Sequence, residues 1–250
     1  MAATPLCEAP LAALKKLLRD EFSFVKSSHL SEALAYSLDF RTYASMQSAM
    51  VGPEQDRPFV LLKTPRFIER LVQFGYEDDP EFDFEVTIAG REPPAGVVST
   101  VPDSAYAIEY KTVRQKAWRN LMVCAINAAL EQKLFSLRPG DNRFPDNMRR
   151  GELFEFVLPN GMPARGSVAD AGFHELSVHA AVYPKGDIVR AFNAGFDAGD
   201  AFGTTWVERD RGAWMQSSDN SFNCRKSLLD QLATLQVEPM GYGDRGRVIM

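Results

Sequence analysis

The sequence predicts an α+β protein: a helical N-terminal module over residues 1–78, then an α+β domain over 79–250 with a mainly antiparallel sheet and a long helix. Three observations carry this expectation. Apolar residues recur at helical spacing through the first 78 positions, the period shortens to alternation from Phe82, and Asn160-Gly161 separates two apolar runs as a tight hairpin turn would.

Leu11, Leu14, Leu17 and Leu18 line one side of a short amphipathic helix beside Lys15, Lys16 and Arg19, ending near Phe22. Ser28 is the expected N-cap of a second helix, His29 to Leu38, with Leu30, Ala33, Leu34 and Leu38 on its apolar face. Asp39, Phe40 and Arg41 turn the chain, and Thr42 caps a third helix carrying Tyr43, Met46 and Met50. After a break at Gly52-Pro53, Thr64-Pro65 starts a helix with Phe67, Ile68, Leu71, Val72 and Phe74, and Gly75 stops it.

From Phe82 the pattern changes. Phe82, Phe84, Val86 and Ile88 alternate with Asp83, Glu85 and Thr87, which predicts a half-buried strand; a turn at Pro93, Pro94, Ala95 and Gly96 leads to Val97, Val98 and Val101. The longest helical candidate runs from Tyr106 to Phe135, with Trp118, Leu121, Met122, Ala125, Ala128, Ala129 and Leu134 suited to burial. Its start is open: Tyr106, Ile108 and Tyr110 alternate like a strand, whereas Asp103 and Ser104 suit a helix cap. Leu153 to Leu158 and Met162 to Val168 form the predicted hairpin, and Phe173 to Tyr183 adds a third strand to a meander. Ile188 to Phe202 reads as a helix, Thr205 to Gln216 as a hairpin turning at Arg211-Gly212, and Phe222 to Leu235 as a final helix.

Composition bounds the function classes. With 250 residues, 45% hydrophobic and 24% charged, the chain has the profile of one large or two small folded domains, not of disorder. A net charge of −5 and a pI near 5.4 argue against coating nucleic acid by bulk electrostatics, while leaving local basic patches open. No apolar run has the length of a membrane span, and no basic region precedes the apolar residues of the N-terminus, so the expected setting is the cytoplasm with no membrane partner. Cys7, Cys124 and Cys224 are odd in number and far apart, which predicts reduced thiols.

The three histidines, His29, His174 and His179, give little sign of a metal site. His174-Glu175 begins like HExxH, but the second histidine falls one position late, on the opposite face of a strand. His29 reads as a surface or capping residue, and Cys124 as core. Gly195, Gly199 and Gly203 recur every fourth residue, match no phosphate-binding loop, and suggest a helical ridge on which another backbone packs closely, or else an irregular loop. Asp197, Asp200, Glu208 and Asp210 read as a solvated acidic face or a divalent-ion cluster.

The sharpest catalytic pattern is Glu109-Tyr110-Lys111, which faintly resembles the PD-(D/E)xK nucleases. The resemblance implies that Glu109 binds Mg²⁺ with an earlier aspartate, Asp103 or Asp83, while Lys111 helps to activate water, with Gln115 opening the next helix. Mg²⁺ is a cofactor only under that reading. If the segment is helical, the two side chains diverge and the site vanishes. The same region carries Lys111, Arg114, Lys116, Trp118 and Arg119, a basic and aromatic mixture suited to phosphates and bases, or else a solvated face around one buried tryptophan.

The run from Ser27 to Met50 resembles a small helical module of uncharacterised bacterial plasmid and integrative-element proteins, and is similar to the helical segment of glyoxalase-superfamily-related proteins. Ser31, Glu32, Ala33, Leu34, Phe40, Arg41, Thr42 and Tyr43 carry the resemblance. It covers a tenth of the chain and implies a genomic setting, not a reaction. Thr42 to Met50 could serve as the reading helix of a helix-turn-helix, but Arg41 is the sole cation between Lys26 and Lys63 except Arg57. The sequence therefore points to a non-catalytic accessory protein of a mobile element that binds nucleic acid or a protein partner. The alternatives are the nuclease and a protein scaffold with no nucleic-acid contact.

Overall fold

The computed structural model describes residues 2–89, 98–99, 109–137, 151–172, 175–186, 189–191, 194–209, 214–217 and 221–247. The architecture is α+β, and the chain divides into two units: Met1–Thr100 with Met240–Tyr242, and Val101–Pro239 with Gly243–Met250.

In the first unit the elements are β1 (Ala2–Pro5), α1 (Glu8–Glu21), α2 (Ser27–Ser37), α3 (Tyr43–Ala49), β2 (Phe59–Leu62), α4 (Thr64–Gln73), α5 (Phe84–Ala89) and β3 (Val98–Ser99). The strands form an antiparallel sheet in the order β2-β1-β3. The predicted helices are present because their apolar stripes share one core: Leu14 and Leu18 of α1, Leu30 and Leu34 of α2, and Phe67 of α4 are all buried. Phe22, Phe67, Phe82 and Phe84 meet there with ring centroids 4.9–5.4 Å apart.

Local signals set most helix ends. Thr42 and Ser45 form a reciprocal capping box at α3, and Gly75 takes φ +88° just beyond α4. The cap of α2 differs from expectation: the helix begins at Ser27, and its N-cap is Lys26, which makes no side-chain cap bond. Residues 82–88 also differ, since Phe84 to Ile88 is helical instead of extended. Phe84 and Ile88 lie one turn apart and are both buried, while Val86 is 73% exposed, so the period-two pattern was coincidental. The Asp83 carboxylate accepts the Glu85 N–H at 2.6 Å and the Thr64 hydroxyl accepts the Phe84 N–H at 3.3 Å, which fixes the first turn. Strand β1 has no sequence signature, and the short apolar run of β2, Phe59 to Leu62, is too brief to decide alone; Ala2, Ala3 and Thr4 become strand by pairing with Leu62, Leu61 and Val60.

The second unit contains α6 (Val113–Glu131), β4 (Glu152–Val157), β5 (Pro163–Gly172), β6 (Glu175–Val182), β7 (Ala201–Glu208), β8 (Trp214–Ser217), β9 (Asn223–Cys224), α7 (Lys226–Ala233) and β10 (Gly243–Arg247). Strands β4 to β6 form the predicted antiparallel meander, β7 and β8 extend it, β10 adds in parallel to β8, and β9 pairs with β7. Gly161 at φ +85° and its N–H bond to the Leu158 carbonyl close the Pro159-Asn160-Gly161 turn.

Helix α6 begins at Thr112 and Gln115, which form a second capping box. Glu109 to Lys111 precede it outside any helix or strand, and Tyr106 and Ile108 lie outside the described residues. The helix packs on the sheet and on α7, so Trp118, Leu121, Met122, Ala125 and Ala129 are fully buried. The helix expected over Ile188 to Phe202 is replaced, among the described residues, by a 3₁₀ turn at Gly195–Asp197 and the start of β7. The glycines explain this: Gly195 has φ +52°, a Cβ on Gly199 would lie 2.5 Å from the Val182 carbonyl oxygen, and one on Gly203 would lie 2.9 Å from Met122 Sδ. The expected helical glycine ridge is therefore absent; Gly203 sits on β7 with side chains of α6 and Phe222 against it.

Candidate nucleic-acid interface

The structure scatters the cationic and aromatic residues that the sequence gathered before and within α6. Trp118 is fully buried and donates its indole N–H to the Thr204 carbonyl at 3.1 Å, so its ring stacks on no base. Arg119 is committed to Asp244, with Nε and Nη2 at 2.7 and 2.6 Å from one carboxylate oxygen, while Nη1 donates to the Asn120 side chain and the Val237 carbonyl. Arg114 covers the Phe222 ring and bonds its carbonyl. Lys111 and Lys116 are exposed.

Glu109 and Lys111 form a solvent-exposed ion pair at 3.1 Å on a segment that belongs to no strand. A strand would place both side chains side by side on one sheet face; these residues do not have that frame. Asp83 serves as the cap of α5, and Asp103 lies outside the described residues. A depression of about 560 Å³ adjoins Glu109, Tyr110, Lys116 and Arg119. Its polar floor is already occupied by structural bonds: the Tyr110 hydroxyl donates to the Asp244 carbonyl, and the Asn120 amide donates to the Leu232, Ala233 and Leu235 carbonyls at the end of α7.

The other candidates are also engaged structurally. His179 lies on β6 with Nδ1 2.9 Å from Thr204 Oγ1, and burial, then Arg190, lowers its pKa to about 4. His174 and Asp210 are outside the described residues. Burial raises the Glu175 carboxyl, against the bond from Gln216 at 2.7 Å, with Glu208 nearby adding to the rise. Asp200 binds Lys185 at 2.9 Å and Arg225 at 3.1 Å, and these contacts lower its pKa, the Lys185 bond foremost. No group of three or more His, Cys, Asp or Glu able to hold a metal occurs among the described residues. Cys7, Cys124 and Cys224 are free thiols, the latter two pushed up to about 11 by burial.

A different basic and aromatic surface emerges on the first unit. On α2, His29, Glu32 and Tyr36 lie at i, i+3 and i+7; on α4, Arg66 and Arg70 lie one turn apart, followed by Phe74. Packing α2 against α4 merges these stripes into one row. Arg66 sits 4.1 Å above the Tyr36 ring, Arg70 lies 5.3 Å from Tyr36 and 5.2 Å from Phe74, and Phe74 stacks on His29 at 4.2 Å. His29 then meets Tyr76 edge-on at 5.8 Å, and Tyr76 meets Phe24 at 6.2 Å. Phe24 ends the row and is 70% exposed.

The row has a defined electrostatic frame. Asp39 holds Lys63 at 2.9 Å and Arg66 at 3.3 Å, and Glu32 holds Arg70 at 4.0 Å and accepts the Tyr43 N–H. The exposed side chains of Lys26 and Arg41, which lie on either side of α2 in the sequence, make no ion pair among the described residues. Tyr76 is fixed by bonds at 3.0 Å from the Lys26 N–H and to His29. The sequence contained the same-face spacings, but the α2–α4 pairing that joins them is tertiary. No protein family, curated protein or solved structure matches this chain. Among the described residues no helix is long and apolar enough to cross a membrane.

Proposed function

We propose that this protein is a non-catalytic module that binds single-stranded nucleic acid through the α2–α4 face of its first unit. The supporting observation is the continuous row from Phe24 through Tyr76, His29, Phe74, Arg70 and Tyr36 to Arg66. Aromatic and guanidinium faces offer stacking to any base, and Lys26 and Arg41 supply charge for the phosphate backbone. Duplex DNA hides its base faces, so single strands suit this surface better. Because the rings read no donor or acceptor pattern, sequence preference is weak. Phosphate contacts through Lys26 and Arg41 make binding sensitive to salt. The Ser27–Met50 module contributes His29, Glu32, Tyr36 and Arg41, and its resemblance supports a place among accessory proteins of bacterial mobile elements, in the cytoplasm.

The test is fluorescence anisotropy of labelled single-stranded DNA and RNA across a salt series, with duplex DNA alongside. Phe24→Ala removes one stacking face, worth about 1–3 kcal/mol per base, and leaves a Tm like wild type. Lys26→Gln should reduce the slope of log K against log salt by about 0.7 per lost phosphate contact. Absence of salt-sensitive binding, or unchanged affinity in Phe24→Ala, overturns the reading. Cutting that requires Mg²⁺ and is lost in Lys111→Ala would install the nuclease in its place.

A further inference from the structure

A second concave site lies on the first unit, between α1, α2 and α3, and does not depend on the nucleic-acid reading. It encloses about 410 Å³, within the usual range for small-molecule sites of about 300–1,000 Å³. Its floor is apolar: Leu11 and Leu34 are 5% and 1% exposed, and the half-buried Met50 lines it with them. The rim is cationic. Lys15, Lys16 and Arg19 line it from α1, against a single carboxylate, Glu8.

Those three cations, like Lys26 and Arg41, stand apart from the cations held in ion pairs elsewhere in the chain. Lys63, Arg66, Arg70, Arg119, Arg165 and Lys185 all have carboxylate partners within 4.0 Å. Lys15, Lys16 and Arg19 have none among the described residues; Lys15 instead rests 6.0 Å from the centroid of Tyr43, on the facing wall. The three positive side chains line an apolar hollow that also offers the Tyr43 ring.

We propose that this groove binds a small organic carboxylate with a flat apolar body. The body would lie on Leu11, Leu34 and Met50 beside Tyr43, and the carboxylate would meet Lys15 and Arg19 at the mouth. Arg19 can engage both oxygens through its guanidinium fork, whereas Lys15 acts as a point charge. The apolar floor supplies affinity that a bare inorganic anion cannot use, and the cations supply selectivity over a neutral ligand of the same shape.

The probe is naphthalene-2-carboxylate, titrated into the full chain by calorimetry and by ¹H–¹³C methyl NMR. Naphthalene-2-carboxamide and inorganic phosphate serve as comparisons. The carboxylate should perturb the Leu11, Leu34 and Met50 methyls and bind at least tenfold tighter than the carboxamide; phosphate should bind weakly and leave the methyls unmoved. Lys15→Gln with Arg19→Gln should erase the preference over the carboxamide while retaining the melting temperature, since Arg19 is exposed, Lys15 only half-buried, and neither has a carboxylate partner among the described residues. Equal binding of carboxylate and carboxamide overturns the proposal. So does perturbation confined to other methyls, or an unchanged preference in the double variant. Single-strand binding through Phe24 is read on a different face, so either result leaves that one independently testable.

Discussion

Removing the carboxylate of Asp244 is expected to be among the most damaging single changes in the second unit. Asp244 and Arg119 are 7% and 14% exposed at their side chains, and two guanidinium nitrogens share one carboxylate oxygen at 2.6 and 2.7 Å. Asp244→Ala strands a guanidinium that water reaches poorly, and breaking a buried pair in this way costs about 3–5 kcal/mol. For a chain of this size each kcal/mol moves the melting temperature by about 2–4 °C, so the expected loss is roughly 6–20 °C. The exposed pair of Glu109 and Lys111, with side chains 75% and 77% exposed, gives the internal comparison. Glu109→Gln should change stability by about 0.5 kcal/mol or less. Urea unfolding followed by circular dichroism measures both, through the shift in midpoint at constant slope. Replacing both partners by apolar residues, Arg119→Met with Asp244→Leu, should recover much of the loss, because no lone charge remains. If Asp244→Ala falls within about 1 kcal/mol of wild type, against the 3–5 expected of a buried pair, the clasp is not formed. Arg119 would then be available as the phosphate contact that the sequence suggested.

Other outcomes follow from single sites. A methyl group on Gly166 would fall within the Phe154 ring on the neighbouring strand, so Gly166→Ala should lose about 1–3 kcal/mol in urea unfolding through overpacking. His179 titrates near 4 in the folded protein against an ordinary 6.5, since burial and Arg190 oppose its charge. The unfolded chain therefore binds the extra proton first, and stability present above pH 6.5 declines as pH falls towards 4; His179→Gln should flatten that part of the melting-temperature profile. Cys7 and Cys124 are buried, and the Cys124 and Cys224 thiols are raised to about 11, so the native protein should react slowly with a thiol reagent at pH 8. All three cysteines should react promptly in denaturant. Thr42→Ala removes the cap that accepts the Ser45 N–H at 3.1 Å and should cost about 1 kcal/mol.

Signals confined to a few neighbouring residues were legible in the chain. The Thr42 cap, the Thr64-Pro65 start, the Gly75 stop and the Asn160-Gly161 turn each depend on local backbone chemistry, and each appears where the sequence puts it. The α+β class followed from the same kind of evidence, as did the burial of Cys124 and of the α6 face. Short apolar runs were less secure. Phe84, Val86 and Ile88 fit a strand by alternation and a helix by the i, i+4 pair, and only the aromatic cluster of Phe22, Phe67 and Phe82 decided for the helix.

The candidate sites show the same division more sharply. The sequence listed the cations and rings but not their commitments. Trp118 and Arg119 stand beside each other in the chain, yet the sheet takes one ring and Asp244, 125 positions away, takes the other charge. Conversely, Tyr36, Arg66, Arg70 and Phe74 seemed unrelated until α2 packed on α4. Sequence alone determined the period, caps and turns of this protein, because these are interactions between near neighbours. Tertiary structure decided strands β1, β2 and β10, the fate of Glu109 and Lys111, and the half-buried aromatic row that ends in the exposed Phe24. Strand pairing and charge neutralisation both depend on residues that only folding brings within a few ångströms.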